Sequence, residues 1–121
     1  GGKNLSAAAI EEIVSTHPSV ALAAAIGIPD AVFGERAAAY VELRPNTSLD
    51  LDELKQFLER EEIARELWPE ALVLLEALPH NVGGKIAKSA LREDAQTRFG
   101  TGLDADTAAR ARAASRREAA E

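Results

Sequence analysis

LPHNVGGKIAKSALR, residues 78–92, joins an apolar, strand-like run to a stretch with a helical pattern. A proline and an asparagine end the apolar run, and two adjacent glycines, Gly83 and Gly84, then free the backbone. Glycine carries no side chain to hold a backbone away from a ligand, and it adopts positive φ readily. Lys85 follows as a mobile charge with three hydrogen-bond donors, suited to a phosphate or carboxylate oxygen. The stretch therefore predicts a loop that delivers one cation into a site.

The Gly84-Lys85 pair invites comparison with the P-loop, whose pattern is a glycine, four residues, then Gly-Lys and a serine or threonine. Pro79 stands where the first glycine would be, and Ile86 stands where the hydroxyl residue would be. A proline cannot make the tight glycine turn, and isoleucine offers no oxygen to a magnesium ion. The pattern argues against a P-loop.

Three helical patterns surround the loop. The first begins at Ser6, which can cap free amides, and stops at Pro18. The second begins at Asp50, which forms a capping-box pattern with the glutamate three residues later, and it runs to about residue 62 or 65. The third spans residues 89–99 and is stopped by glycines.

Three strand patterns complete the order α-β-β-α-β-α; they cover residues 20–28, 37–44 and 71–75. The first is an unbroken, alanine-rich apolar run, which predicts a strand buried on both faces. Residues 27–34 contain the turn signal Pro29-Asp30 and are expected to form a long, ordered loop between the first two strands. The fold class predicted is α+β: a small mixed three-stranded sheet, with a β-hairpin, flanked by helices.

Composition limits the functions that such a domain can have. The chain has 121 residues and a net charge of -6, whereas a nucleic-acid or anionic-membrane partner requires a basic footprint. It has no cysteine and only two histidines, which argues against a disulfide framework, a thiolate centre or a histidine metal cluster. No apolar run approaches the length of a membrane span. We expect a cytoplasmic protein with no nucleic-acid partner, no membrane span and no metal site of its own.

The last part of the sequence differs from the rest. Residues 101–121 form an Ala/Arg/Glu tract with almost no large apolar side chain, so it has little to bury. We expect one domain over residues 1–100, followed by a tail that is frayed or helical.

The pattern Leu-Pro-x-Asn-x-x-Gly-Lys-Ile-x-Lys-x-x-Leu-Arg around Lys85 resembles the C-terminal lysine motif of the adenylate-forming enzymes. These include acyl-CoA synthetases, nonribosomal-peptide adenylation domains and luciferases. Further stretches resemble the small C-terminal domain of that family, in the same order and at matching spacing, and they read GGKNLS (1–6), HPSV (17–20), GIPD (27–30) and GE (34–35). The resemblance extends from residue 1 to about residue 95.

This resemblance implies the C-terminal domain of an ATP-dependent, AMP-forming fatty-acid or other carboxylic-acid–CoA ligase, an acyl-CoA synthetase. Lys85 would be the catalytic residue, bridging the carboxylate and the α-phosphate of ATP, with Gly83 and Gly84 beside the ligand. After rotation of the domain, Gly2, Lys3 and Trp68 would contribute to the CoA site.

The same resemblance implies ATP, CoA and magnesium, with the ATP and metal sites mainly in a large N-terminal domain of the same enzyme. That domain, the carboxylic acid and CoA are the expected partners, and the 121-residue chain alone is expected to be inactive.

Two positions depart from the family pattern. Gly83 stands where a serine or threonine is usual, and Glu66-Leu67-Trp68-Pro69 replaces a Phe/Tyr-Lys-x-Pro segment. A surface role for Lys85 and a core role for Trp68 are the plainer alternatives. Two other functions also stay open: an adenylation enzyme that loads a carrier-protein thiol, and a non-catalytic binding module that shares the fold.

Overall fold

The computed structural model describes residues 6–30 and 34–100. Its elements are α1 (Ala7–Ser15), β1 (Val20–Asp30), β2 (Gly34–Leu43), α2 (Leu51–Arg60), β3 (Ala71–Leu74) and α3 (Lys88–Phe99), with one turn of 3-10 helix at Arg65–Leu67 before β3. The predicted α+β class and the order α-β-β-α-β-α are confirmed. The predictions for residues 1–5 and 101–121 lie outside the described residues.

The strands form one mixed sheet in the order β1-β2-β3. β1 and β2 are antiparallel, with Ala25 opposite Ala39, whereas β2 and β3 are parallel, with Tyr40 opposite Val73. A parallel pair needs a crossover connection, and α2 lies in the segment that provides it. β2 is therefore the central strand, and its buried residues enter the cores on both faces of the sheet.

Both faces of the sheet are covered. The core on one face contains Ala23 and Ala25 of β1 together with residues of α1 and α2, and we call it the α1/α2 core. The core on the other face contains Ala24 and Ile26 of β1 together with Leu91 and other residues of α3, and we call it the α3 core. Alternate residues of β1 thus enter opposite cores, as the period of a strand requires. The prediction that β1 is buried on both faces is confirmed.

The connection between β1 and β2 is shorter than the sequence predicts. Gly27–Asp30 belong to β1, Asp30 pairs with Gly34, and only residues 31–33 connect the strands. The proline in this part of β1 is tolerated because β1 is an edge strand, where one side of the backbone needs no ladder partner. The turn signal Pro29-Asp30 thus lies at the end of β1 and not in a loop.

The helix boundaries follow local chemistry. The Ser6 hydroxyl accepts the Ala9 N–H at 3.3 Å, and Asp50 and Glu53 form the predicted capping box at 2.8 and 3.2 Å. α2 ends at Arg60, earlier than predicted, because Glu62 turns to a φ of 57°. No helix in the described ranges is long and apolar enough to cross a membrane.

Candidate functional site

The lysine loop, residues 75–87, leaves the sheet directly after β3. The Leu75 N–H still donates to the Val41 carbonyl of β2 at 3.0 Å, so the chain follows the sheet for one more residue. Three residues later the Leu78 N–H donates to Glu42 Oε1 at 2.9 Å, while the Leu78 side chain is buried in the α3 core. The loop thus starts from a point fixed to the central strand.

Beyond Leu78 the loop closes into a small hairpin. His80 and Ile86 form an antiparallel bridge, and the Ala87 N–H donates to the Pro79 carbonyl at 2.8 Å. Nearer the tip, the Asn81 N–H donates to the Lys85 carbonyl at 2.7 Å. Four backbone groups of the loop are therefore paired with one another, and the hairpin is an ordered unit.

The tip of this hairpin consists of residues 82–84. The Gly84 N–H donates to the Asn81 carbonyl at 2.9 Å, which makes a turn, and Gly84 has a φ of 89°. Three-residue hairpin connections commonly use a turn followed by a residue in the left-handed region, and glycine takes that conformation without strain. The backbone conformation at position 84 therefore explains why a glycine stands there.

Gly83 has no such reason. Its φ lies outside the positive region, and a Cβ added there would have no atom within 4 Å among the described residues. The backbone at this position therefore does not require glycine, and the serine or threonine that the resemblance implies here would meet no described atom at its Cβ. Relative to the pattern that the resemblance implies, Gly83 removes a hydroxyl group at a position where the described structure leaves space for a Cβ.

Lys85 begins the returning arm of the hairpin and is exposed. Among the described residues, no ion-pair partner for its ammonium group is found. Val82, at the same tip, is also fully exposed. The loop therefore presents one cation beside two glycines, as the sequence predicts. Its binding partners remain predictions.

Lys88, three residues after Lys85, has a different environment. Its ammonium group forms an ion pair with Glu11 of α1, and Glu11 Oε2 also accepts the Ala25 N–H of β1 at 2.9 Å. One carboxylate thus joins α1, the edge of β1 and the start of α3. Lys88 is thus paired with α1 at the point where the lysine loop passes into α3.

Trp68 lies apart from the loop, in the segment before β3. Its indole N–H donates to the Ile63 carbonyl at 2.9 Å, and the Arg65 guanidinium carbon lies 5.0 Å from its ring centroid. The ring also packs against the α1/α2 core. These contacts support the core reading of Trp68, and a CoA contact stays a prediction. Gly2 and Lys3 lie outside the described residues.

Two shallow clefts lie beside α3, with volumes of about 210 and 160 Å³. Lys88 and Arg92 line the larger cleft, Arg92 also lines the smaller one, and Lys85 lines neither. Pockets for small molecules are typically about 300 Å³ or more. Within the described ranges, moreover, no group of three or more histidine or acidic side chains could hold a metal ion. Around Lys85 this chain supplies a charge rather than the walls of a pocket.

Sequence reasoning missed the carboxylate that anchors the loop. Glu42 lies opposite Leu22, which packs against the α3 core, and Tyr40, two residues earlier on β2, is buried in that core. The signal that could have found it was an acid two residues after an aromatic residue on the same strand face, because a part-buried carboxylate needs a hydrogen-bond donor.

Comparisons with known proteins place this fold and its lysine loop in a family. Residues 9–85 match the model of the family described as the AMP-binding enzyme C-terminal domain. The chain is 39% identical over 100 residues to a medium-chain fatty-acid–CoA ligase of Escherichia coli, covering 82% of this chain and 18% of the ligase. It is 43% identical over 91 residues to the human mitochondrial malonate–CoA ligase ACSF3, covering 75% of this chain and 16% of that enzyme.

A solved structure gives the same answer. The ATP-bound crystal structure of MatB from Rhodopseudomonas palustris superimposes with a TM-score of 0.71 at 30% identity, covering 79% of this chain and 19% of MatB. The chain thus spans less than a fifth of the length of each of these relatives. Since the family match covers more than half of the sequence and the fold agrees, this chain belongs to the family of AMP-binding enzyme C-terminal domains.

Proposed function

We propose that this chain is the lysine-bearing C-terminal domain of an ATP-dependent, AMP-forming carboxylic-acid–CoA ligase. The observation that carries the proposal is the position of Lys85, an exposed cation on a closed hairpin that is fixed to the central strand. Relatives at 39% and 43% identity are named as CoA ligases, which supports the same reaction class.

The first half-reaction explains why a cation is needed. A carboxylate oxygen attacks the α-phosphorus of ATP, a new C–O–P linkage forms, and the bond to pyrophosphate breaks. Negative charge gathers on the phosphoryl oxygens and the attacking carboxylate in the transition state. The Lys85 ammonium group, placed against these oxygens, would stabilise that charge, the kind of contribution that often dominates phosphoryl-transfer catalysis.

The pockets for ATP and the acid must come from a partner, for which we propose a large N-terminal domain of the same enzyme. The two clefts beside α3 are smaller than a typical ligand pocket and Lys85 lines neither, and among the described residues no group of three or more histidine or acidic side chains could hold a metal ion. This chain would contribute the mobile charge, and the partner would hold the reacting groups.

The second half-reaction joins the acyl group to the sulfur of CoA and releases AMP. By resemblance, rotation of this domain withdraws Lys85 and brings Gly2, Lys3 and Trp68 towards CoA. The relatives are named for a fatty acid and for malonate, so similar C-terminal domains serve different acids. The acid would therefore be selected outside this chain.

The test is the effect of Lys85→Ala on the two half-reactions of the intact enzyme. We expect acyl-adenylate formation to fall by roughly 10²-fold or more, as on loss of one charge-stabilising group, because Lys85 is the only lysine or arginine in the lysine loop. Thioester formation from supplied acyl-adenylate should be spared. Pyrophosphate release measures the first step, and acyl-CoA analysis measures the second.

Lys55→Ala is the matched control, because it removes the same charge from α2, on the other face of the sheet, and should alter neither step. Survival of adenylate formation in Lys85→Ala would refute the role of Lys85. Replacing CoA with a carrier protein in the second assay identifies the thiol acceptor. The 121-residue chain alone should give no turnover.

A further inference from the structure

We propose that Glu42 is a positioning residue for the lysine loop: by accepting the Leu78 N–H, its carboxylate sets where the loop leaves the sheet and therefore where Lys85 can reach. The inference rests on the proposed function of Lys85. It concerns a residue on β2, and the two contacting residues are 36 positions apart in the sequence.

The contact joins the loop to the central strand of the sheet. β2 is bonded on one side to β1 and on the other to β3, and Glu42 lies opposite Leu22 of β1, one residue beyond the last β2–β3 pair, Val41 with Leu74. Glu42 Oε1 accepts the Leu78 N–H at 2.9 Å in a part-buried environment. A hydrogen bond from a backbone N–H to a carboxylate is stronger than one between two neutral groups.

Apart from the bond of the Leu75 N–H to Val41, where the loop leaves β3, the other backbone hydrogen bonds that residues 75–87 donate to carbonyl groups lie within the loop. The pairs formed by Asn81 with Lys85, Gly84 with Asn81, and Ala87 with Pro79 all lie within the hairpin, so they fix its shape and leave its direction free. Direction is set at the two ends. Glu42 holds the incoming end, and the Lys88–Glu11 ion pair holds the outgoing end.

Leu78 cannot easily be held by another backbone group. β3 ends at Leu74, so its ladder offers no carbonyl to the Leu78 N–H, and the preceding Glu76 and Ala77 are exposed. Without the carboxylate, the Leu78 amide would lose its partner at the edge of the α3 core, and the exposed segment before it could shift. Misplacing a catalytic group by about 1 Å can cost about 10²-fold in rate.

The effect should be specific to one half-reaction. Lys85 serves acyl-adenylate formation, so a displaced loop impairs that step. In the thioester-forming arrangement the lysine is withdrawn, and the position of the loop matters less. A side chain that merely stabilises the fold would affect both steps together.

The experiment compares Glu42→Val and Glu42→Gln in the intact enzyme, with Lys85→Ala measured beside them. Valine suits a strand and cannot accept a hydrogen bond, whereas glutamine keeps an oxygen at the same distance. We expect Glu42→Val to slow acyl-adenylate formation about tenfold or more and to spare thioester formation from supplied acyl-adenylate. Glu42→Gln should retain most of the activity.

Backbone amide exchange, read by mass spectrometry, provides a measurement that does not depend on activity. Exchange should accelerate across residues 76–88 in Glu42→Val and stay unchanged in α2. If Glu42→Val fails to fold, Glu42→Thr replaces it, because threonine also suits a strand and is too short to reach Leu78. Unchanged exchange in the loop would overturn the proposal.

The outcomes separate the two proposals. If Lys85→Ala abolishes adenylate formation while Glu42→Val leaves it intact, or if Glu42→Val slows both half-reactions equally, the positioning role is wrong and the proposed function stands. If Glu42→Gln is as impaired as Glu42→Val, the hydrogen bond is not the cause and the inference also fails. If Lys85→Ala leaves adenylate formation intact, the proposed function fails and takes the inference with it.

Discussion

At the scale of single residues, the two glycines of the lysine loop have different reasons to be there. Gly84 has a φ of 89° and ends the three-residue tip, so its lack of a Cβ is required by the backbone. Gly83 has ordinary φ and open space around it. The same substitution should therefore change the free energy of unfolding differently at Gly83 and at Gly84.

Replacing each glycine by alanine should show this difference. Gly84→Ala should lower the free energy of unfolding by about 1 kcal/mol, because the side chain meets the left-handed backbone. Gly83→Ala should be neutral or stabilise by up to about 1 kcal/mol, since it restricts the unfolded chain at a position without strain. Urea unfolding of the two variants provides the comparison. Equal effects would mean that the left-handed backbone at Gly84 does not distinguish it from Gly83.

At the scale of elements, the segment that follows α1 contacts α2 through His17. Its ring contacts Phe57 of α2 edge to face, with centroids 4.8 Å apart, and its Nδ1 accepts the Ser19 N–H at 3.0 Å just after α1. Partial burial lowers the pKa of His17 below its ordinary value, and the Arg60 charge lowers it further, against an opposing effect of Glu53. The folded protein therefore favours the neutral form of the His17 ring.

This pKa shift predicts that stability depends on pH near neutrality. Because the folded pKa lies below the unfolded one, the unfolded chain binds more protons between the two values, and stability rises with pH there. The contribution of His17 should be complete above the unfolded pKa of about 6.5 and should be lost as the pH falls towards the folded value.

His17→Asn keeps a hydrogen-bond acceptor and does not titrate, so it serves as the reference. Urea midpoints measured between pH 8 and pH 5.5 should fall more steeply for the original protein than for the variant. Parallel curves would show that His17 does not carry the effect.

At the scale of the whole molecule, a side-chain network joins the sheet to α3. The Tyr40 hydroxyl donates to Asp94 Oδ2 at 2.6 Å, and the Arg98 Nε donates to the same oxygen at 3.0 Å. Burial, followed by the interaction with Asp94, raises the pKa of Tyr40 well above its ordinary value. The phenol therefore stays protonated and keeps donating across the ordinary pH range.

Tyr40→Phe should lower the free energy of unfolding by about 1–2 kcal/mol, since the lost hydrogen bond ends on a charged group. Asp94→Ala should cost more, because it removes the acceptor shared by the Tyr40 hydroxyl and the Arg98 Nε–H. A double-mutant cycle by urea unfolding should give a coupling energy of about 1 kcal/mol between them. Additive effects would show that the network does not couple the sheet to α3.

Much of the architecture could be predicted from local patterns. The capping box at Asp50, the apolar run of β1 and the stop of α3 at Gly100 each depend on residues close in sequence, and all are found. The β1–β2 connection was overestimated because Pro29-Asp30 resembles a turn. Strand pairing continued through it, since a ladder is decided by both strands.

The sequence by itself determined the family, the order of the elements and the identity of Lys85 as the exposed cation of the glycine loop. Those conclusions depend on motifs and on contacts between residues a few positions apart, and such patterns can be recognised in the amino-acid sequence. Only the tertiary structure decided what holds that loop in place. Glu42 meets Leu78 across 36 residues and Tyr40 meets Asp94 across 54, and such pairs exist only after the sheet has brought distant segments together.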